Sequence, residues 1–408
     1  MHENESTTEQ HRTATDDHTT ADERTADEYA VTPDSVSGTV DYDELLKQFG
    51  ADRLTDEQVA GLPDHPAIRR DIYYAGRSVE DYVTAANAGD PHAVVTGVGP
   101  SGPLHVGHLL VFSLAKELQD ETGATLYIPL SDDEKYFTRD LTYDEISGYT
   151  RDNLRDLLAF GFDPEKTRFV VDTADADVVY PVASALAKHL TQSTVEATYG
   201  PPDNVGQSFY PAVQAAHLLL PQLVDGAQPT LVPVAVDQDP HVRVCRDVAA
   251  KERFPVQKPG ALLGKFLPDL SGPGKMSTSE GEATIYLDDD RDTVRDKVLT
   301  HAFSGGRSSL DEHREHGGDP DVDVAFQFCR FLFEPDDDAL ARLEREYRAG
   351  ELLSGELKEY AAARIADYLA AHQRRKADLG PLSEELPAYR LTADERRRAR
   401  AAVGVGEL

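Results

Sequence analysis

From about residue 92 the large apolar residues come in short runs separated by stretches of helical spacing. HAVVTG (92–97), TLYIPL (125–130), RFVVD (168–172) and TLVPVAV (230–236) are bounded by Gly, Pro, Asp or Thr, which predicts buried strands. Between the first two, Val106 to about Glu121 predicts a helix. Such unalternated apolar runs, set between helices, predict a parallel sheet covered on both faces. In sheets of that kind ligands gather at the carboxyl ends of the strands. TGVGPSG, SDDEK and DQDP each come directly after one of the runs.

On either side the pattern changes. Residues 1–38 have almost no large apolar side chains to offset ordering entropy, which predicts a disordered acidic extension. Residues 39–90 are mixed, with helical stretches at DYDELLKQFG and SVEDYVTAANAG, and predict an appended N-terminal region. Residues 91–290 form the α/β domain. Beyond them the strand runs stop, and Leu357, Ala361, Ile365 and Leu369 recur at helical spacing. Residues 291–376 therefore predict a helical domain. Residues 377–408 predict a C-terminal extension, its Arg396, Arg397, Arg398 and Arg400 on a solvated helix.

Charge narrows the classes of function. The 408 residues hold 74 acidic and 41 basic side chains, a net of −33. Residues 1–38 account for −8 of this, with ten acids against two arginines, and the body carries the other −25. A basic nucleic-acid binder and a polybasic membrane-surface protein are both excluded. Two cysteines, Cys245 and Cys329, exclude a disulfide framework and an all-cysteine zinc site, and read as small packed side chains. No apolar run approaches membrane-spanning length and no hydrophobic signal core opens the chain, so the expectation is a cytoplasmic protein without a membrane partner. Abundant carboxylates with only 12 Lys resemble proteins of salt-loving cells, where a carboxylate surface stays hydrated.

Two motifs carry chemistry. In TGVGPSGPLHVGH (96–108), Gly97, Gly99 and Gly102 form a GxGxxG after a strand, a turn able to cradle phosphates at a helix N-terminus. His105 and His108 stand three apart at the start of that helix, on one face, as donors for phosphate oxygens. Gly107 between them leaves room for a flat purine. Read alone, the same residues also suit a metal-binding or surface His pair. In GPGKMSTS (272–279), Lys275 sits among small residues, where a flexible loop brings one cation to polyphosphate. Met276 lies beside it, and Ser277 and Ser279 can close the loop by local hydrogen bonds, although such composition also suits a plain surface loop.

Together, HVGH and KMSTS resemble the two signatures of class I aminoacyl-tRNA synthetases. The chain is further similar to the archaeal and eukaryotic type of tryptophanyl-tRNA synthetase over roughly residues 41–376. DYDELLKQFG, SDDEKYF, GFDPEKT, YPAVQAA, VDQDPHVRVCRDVA, HAFSGGR and LSGELK carry the likeness. The resemblance implies a Rossmann-like catalytic domain (91–290), a helical anticodon-binding domain (291–376) and a homodimer. It implies that tryptophan and ATP form an adenylate, with Mg²⁺ on the phosphates, and that the acyl group passes to tRNA(Trp). His105, His108 and Lys275 would be catalytic. Gly97, Gly99, Gly107, Lys135, Lys275, Met276, Ser277 and Ser279 would hold ATP. Glu134, Gln214, Asp237 and Gln238 would hold the amino acid, with no protein-bound metal.

The chain departs from that family at three places. Val95 and Pro129 stand where the family has the tyrosine and glutamine for the indole N–H, and Val98 where it has an arginine. Another polar group must then read the indole, or the chain is a divergent relative with altered specificity or no tRNA charging. A dinucleotide-dependent oxidoreductase using GVGPSG is the rival from another class, opposed by KMSTS and the His pair.

Overall fold

The structure, a computed structural model, describes residues 30–31, 36–37, 42–251, 253–275 and 283–406. Near the N-terminus β1 (Ala30–Val31) and β2 (Val36–Ser37) pair antiparallel. This hairpin falls within the acidic extension expected over residues 1–38, of which residues 1–29, 32–35 and 38 lie outside the described residues.

The main sheet has seven strands: β3 (Asp52–Arg53), β4 (Tyr73–Arg77), β5 (Ala93–Val95), β6 (Thr125–Leu130), β7 (Thr167–Val171), β8 (Thr230–Ala235) and β9 (Gly260–Gly264). Their order is β3-β4-β9-β8-β5-β6-β7. The five from β9 to β7 run parallel. From β5 the chain winds outward through β6 and β7, then returns to β8 on the other side. The crevice between the ends of β5 and β8 is therefore the topological switch point, where open α/β sheets bind ligands. Side chains alternate along the strands into two cores: Val94, Ile128, Phe169 and Leu231 on one face, Val95, Tyr127, Val170 and Val232 on the other.

The sheet is mixed, not wholly parallel, because β4 runs antiparallel to β9 and β3 antiparallel to β4. Neither YYAGR nor GALLG stands out as a strand in the sequence, since a glycine follows the apolar residues of the first and glycines confine those of the second to three. Those glycines serve close packing. A Cβ on Gly76 would meet the Ala261 carbonyl at 2.7 Å, and one on Gly264 would meet the Tyr73 ring at 3.0 Å. Residues 39–90 are consequently built into the α/β sheet and do not stand apart from it.

After a small hairpin, β10 (Pro268–Asp269) with β11 (Gly272–Lys275), no further strand occurs among the described residues. Helices Arg291–His301 and Ser354–Asp378 dominate the remainder of the chain. Their buried residues, among them Val298, Ile365 and Leu369, join the core cluster that holds Leu118 and Phe160 of the α/β part. The C-terminal helix is packed along one face, while Arg397 and Arg398 stay exposed on the other as expected. Tyr389 stacks on Phe169 at 5.0 Å, and Ala399 is wholly buried. Arg390 and Arg396 both reach the buried carboxylate of Asp175, which would otherwise be an uncompensated charge in the interior. Cys245 and Cys329 are free and wholly buried, as expected. Among the described residues, no helix is long and apolar enough to cross a membrane.

Candidate active site

A cleft of about 900 Å³ opens at the switch point. Gly97, Gly99, His105, Gly107 and His108 enter it from the loop after β5 and the helix beyond it. Glu134 and Lys135 come from the helix after β6, Gln214 from helix Val205–Asp225, and Gln238 from the turn after β8.

His105 is the N-cap of helix Val106–Thr122, and its Nδ1 accepts from the Gly107 N–H at 3.1 Å. The His108 Nδ1 in turn accepts from the His105 N–H, also at 3.1 Å. A neutral imidazole that accepts at Nδ1 must carry its proton on Nε2. The reciprocal cap therefore fixes one tautomer in both rings, whose centroids lie 4.0 Å apart, and gives each an Nε2–H donor. This pair stands at a helix N-terminus, where the dipole favours anions.

Glycines shape the neighbouring loop. A Cβ on Gly97 would meet the Pro129 carbonyl oxygen at 2.3 Å, and one on Gly99 would meet the Lys135 Cε at 2.0 Å. The bare Gly99 backbone lets Lys135 cross the loop, where its Nζ pairs with Glu134 at 2.6 Å. The other Glu134 oxygen accepts from the Thr138 hydroxyl at 2.9 Å.

The described residues on either side of the KMSTS segment reach the same region. β10 starts immediately after Leu267, a cleft residue, and β11 ends at Lys275. On the far side, Ile285 accepts from the Val106 N–H and Leu287 donates to the Leu104 carbonyl, each at 3.0 Å, with His105 bridged to Tyr286 between them. The start of the helix that carries the His pair is thus tied to the backbone of Ile285–Leu287. Met276, Ser277 and Ser279 lie outside the described residues, and only the backbone of Lys275 is described.

Two glutamines differ in presentation. Gln238 donates its amide N–H to Asp237 at 2.9 Å, which directs the amide oxygen elsewhere. Asp237 itself is wholly buried and does not line the cleft, contrary to its expected place among the substrate contacts. Successive residues of a 3₁₀ turn point about 120° apart, so only Gln238 reaches the cleft from this turn. Gln214 has its amide oxygen 2.7 Å from the hydroxyl of Tyr210, a residue that sequence reasoning did not single out. Val95, Val98 and Pro129 all line the cleft and bring no polar side-chain atom to it.

At the start of the helix after β6 lies a buried carboxylate trio, Asp132, Asp133 and Asp172. The Thr173 hydroxyl donates to Asp132, and Tyr180 donates to Asp133 at 2.7 Å. Asp172 lies 2.6 Å from His217 Nε2. Burial first, and then the charge of Asp172, pushes Asp133 up to about 7, while burial raises Asp172 well above the carboxylate range. A carboxyl raised in the fold keeps a proton that the unfolded chain has lost, so it lowers stability as pH climbs from about 4 to about 7. Burial of His217, down to about 4, acts in the opposite sense over much of that window. An Asp133→Asn variant isolates the first effect. Its stability relative to the parent should rise across pH 4–7 and then level, as read by denaturant unfolding in constant molar salt. A difference independent of pH would contradict the assignment.

Residues 87–370 match the model of the tRNA synthetases class I (W and Y). The chain belongs to this family of class I tRNA synthetases. Its relatives include a protein of Halobacterium salinarum, Tryptophan–tRNA ligase 2, which is 63% identical over 383 residues, 94% of this chain and all of that one. The tryptophan–tRNA ligase of Pyrobaculum arsenaticum is 40% identical over 376 residues, 90% of this chain and 98% of that one. Among solved structures, the tryptophanyl-tRNA synthetase of Giardia lamblia superposes with a TM-score of 0.78 at 31% identity. That match covers 86% of this chain and 96% of the other.

Proposed function

We propose that this protein joins tryptophan to tRNA(Trp) through a tryptophanyl-adenylate, consuming ATP and releasing AMP and pyrophosphate. The observation that carries this reading is the capped His105–His108 pair, two Nε2–H donors at a helix N-terminus in the switch-point cleft, within a chain related to tryptophan–tRNA ligases.

The substrate carboxylate attacks the α-phosphate of ATP, and the bond to pyrophosphate breaks. No protein nucleophile takes part. Catalysis consists of alignment and of donors aimed at charge that grows as pyrophosphate departs. His105 and His108 supply two such donors, and Lys135 and Lys275 add cations. Gly97 and Gly99 let the phosphates approach the backbone, and Gly107 leaves a face for adenine. Glu134 and the oxygen of Gln238 suit the ammonium of the amino acid. The 2′- or 3′-hydroxyl of the terminal tRNA ribose then takes the acyl group from AMP.

Imidazoles and ammonium groups are poor ligands for a hard divalent cation, and the carboxylate trio lies off the cleft. Mg²⁺ would fit as an ion brought with the nucleotide, where it would supply neutralisation of charge on the leaving pyrophosphate. By the same family reading, residues 291–376 bind the anticodon, the chain works as a cytoplasmic homodimer, and no membrane is involved.

Amino-acid-dependent exchange of pyrophosphate into ATP, run across all twenty amino acids in strong salt, tests the reading. Exchange with tryptophan alone is expected. Exchange only with another amino acid, or none, would overturn it in favour of a divergent relative.

A further inference from the structure

The inner wall of the cleft contains a hydroxyl whose protons can be counted. The Tyr210 oxygen lies 2.7 Å from the Gln214 amide oxygen and 2.8 Å from the Ser131 hydroxyl oxygen. The phenol has one proton. The amide oxygen has none, so the phenolic proton goes to Gln214 and Ser131 must donate its own proton to Tyr210. Burial raises Tyr210 well above the usual phenol range, which keeps that proton in place. The Ser131 oxygen is then committed as a donor once and keeps its lone pairs as acceptors.

Its surroundings select what it can accept. Ser131 is two residues beyond Pro129 at the end of β6, and both line the cleft. Val95, Leu218 and Val232 line it too, so this wall is apolar. The Pro129 carbonyl is occupied by the Val98 N–H at 3.0 Å, and the Thr96 hydroxyl is turned to the Pro233 carbonyl at 3.1 Å. An apolar wall carrying a fixed hydroxyl acceptor fits a flat hydrocarbon ring bearing one neutral N–H.

We propose that the Ser131 oxygen, held acceptor-outward by Tyr210 and Gln214, receives the indole N–H of the amino acid and sets specificity for it. Ser131 is the specificity-determining contact, and Tyr210 is a positioning residue acting through it. The same proton count leaves the Gln214 amide N–H₂ as a donor, suited to the substrate carboxylate. This inference rests on the tryptophan reading and supplies the acceptor that Val95 and Pro129 lack.

The test uses pyrophosphate exchange with tryptophan and with 3-benzothienylalanine, a near-isostere in which sulfur replaces the N–H. The parent enzyme should prefer tryptophan by roughly tenfold or more in kcat/KM, the scale of one unmatched buried hydrogen bond. Ser131→Ala should lose about that factor with tryptophan and keep its activity with the analogue, bringing the ratio near one. Retained analogue activity also reports an intact fold. Ser131→Thr should restore the preference. Tyr210→Phe, which releases Ser131 to rotate, should raise KM for tryptophan several-fold at unchanged kcat. A parent-like preference in Ser131→Ala would overturn the proposal alone, whereas a parent enzyme inert toward tryptophan would overturn it together with the synthetase reading.

Discussion

Alanine at His108 should slow adenylate formation by about a hundred- to a thousandfold while KM for ATP changes by only a few-fold. The asymmetry comes from the part the side chain plays. Its Nδ1 is occupied by the His105 N–H, so its contribution to the reaction is the single Nε2–H. A lone neutral donor adds little to a bound triphosphate that already has Mg²⁺ and water. It counts when negative charge gathers on the departing pyrophosphate at the helix N-terminus. His105→Ala should show a comparable rate loss, and because the two rings cap the helix reciprocally, each substitution should also cost about 1 kcal/mol of stability. Lys275→Ala should behave like His108→Ala. Rapid-quench measurement of adenylate in a single turnover, beside equilibrium binding of ATP, separates the two quantities. Equal losses in rate and in ATP affinity would remove these residues from the transition state.

Aminoacylation should rise with KCl into the molar range. A body carrying −25 repels a polyanionic tRNA in dilute buffer. At about 0.1 M salt the Debye length is near 10 Å, and at about 1 M it is near 3 Å, so the repulsion fades over that span. Counterion release contributes little to binding in strong salt, which leaves shape and local hydrogen bonds to hold the tRNA. Pyrophosphate exchange involves only small substrates and should respond less steeply, which isolates the tRNA step. A steady fall of aminoacylation from low salt upward would refute this.

Much of the sheet is legible without any coordinate. β5, β6, β7 and β8 are dense apolar runs, and density is what burial on both faces demands. β4 and β9 escape such a reading because their strand character lies in what the glycines permit, a close approach of one backbone to another. The His pair, the glycine loop, Glu134, Lys135 and the two glutamines lie at strand ends or on short-range spacing, and the structure gathers them in one cleft. Ser131 and Tyr210 do not stand out in sequence, since their partnership joins a strand end to a helix nearly eighty residues later. The i, i+4 spacing of Tyr210 and Gln214 is the one local sign of it. Of the neighbours Asp237 and Gln238, only Gln238 lines the cleft, and adjacency in sequence does not say which of two neighbours faces a cavity. Arg390 and Arg396 look like tail residues until the buried Asp175 explains them.

The pairing of β4 with β9 sets an order of events during synthesis. Tyr73 leaves the ribosome early, but its register partner Gly264 appears only after β5, β6, β7 and β8 have been made. Until then β4 has only the two-residue β3 beside it and presents an open edge, while non-local pairing of this kind forms slowly. Asp175 waits longer still, since Arg390 and Arg396, which neutralise it, are translated more than two hundred residues after it. The nascent protein therefore carries an unfinished sheet and an unmatched interior charge through most of its translation, and it closes both late.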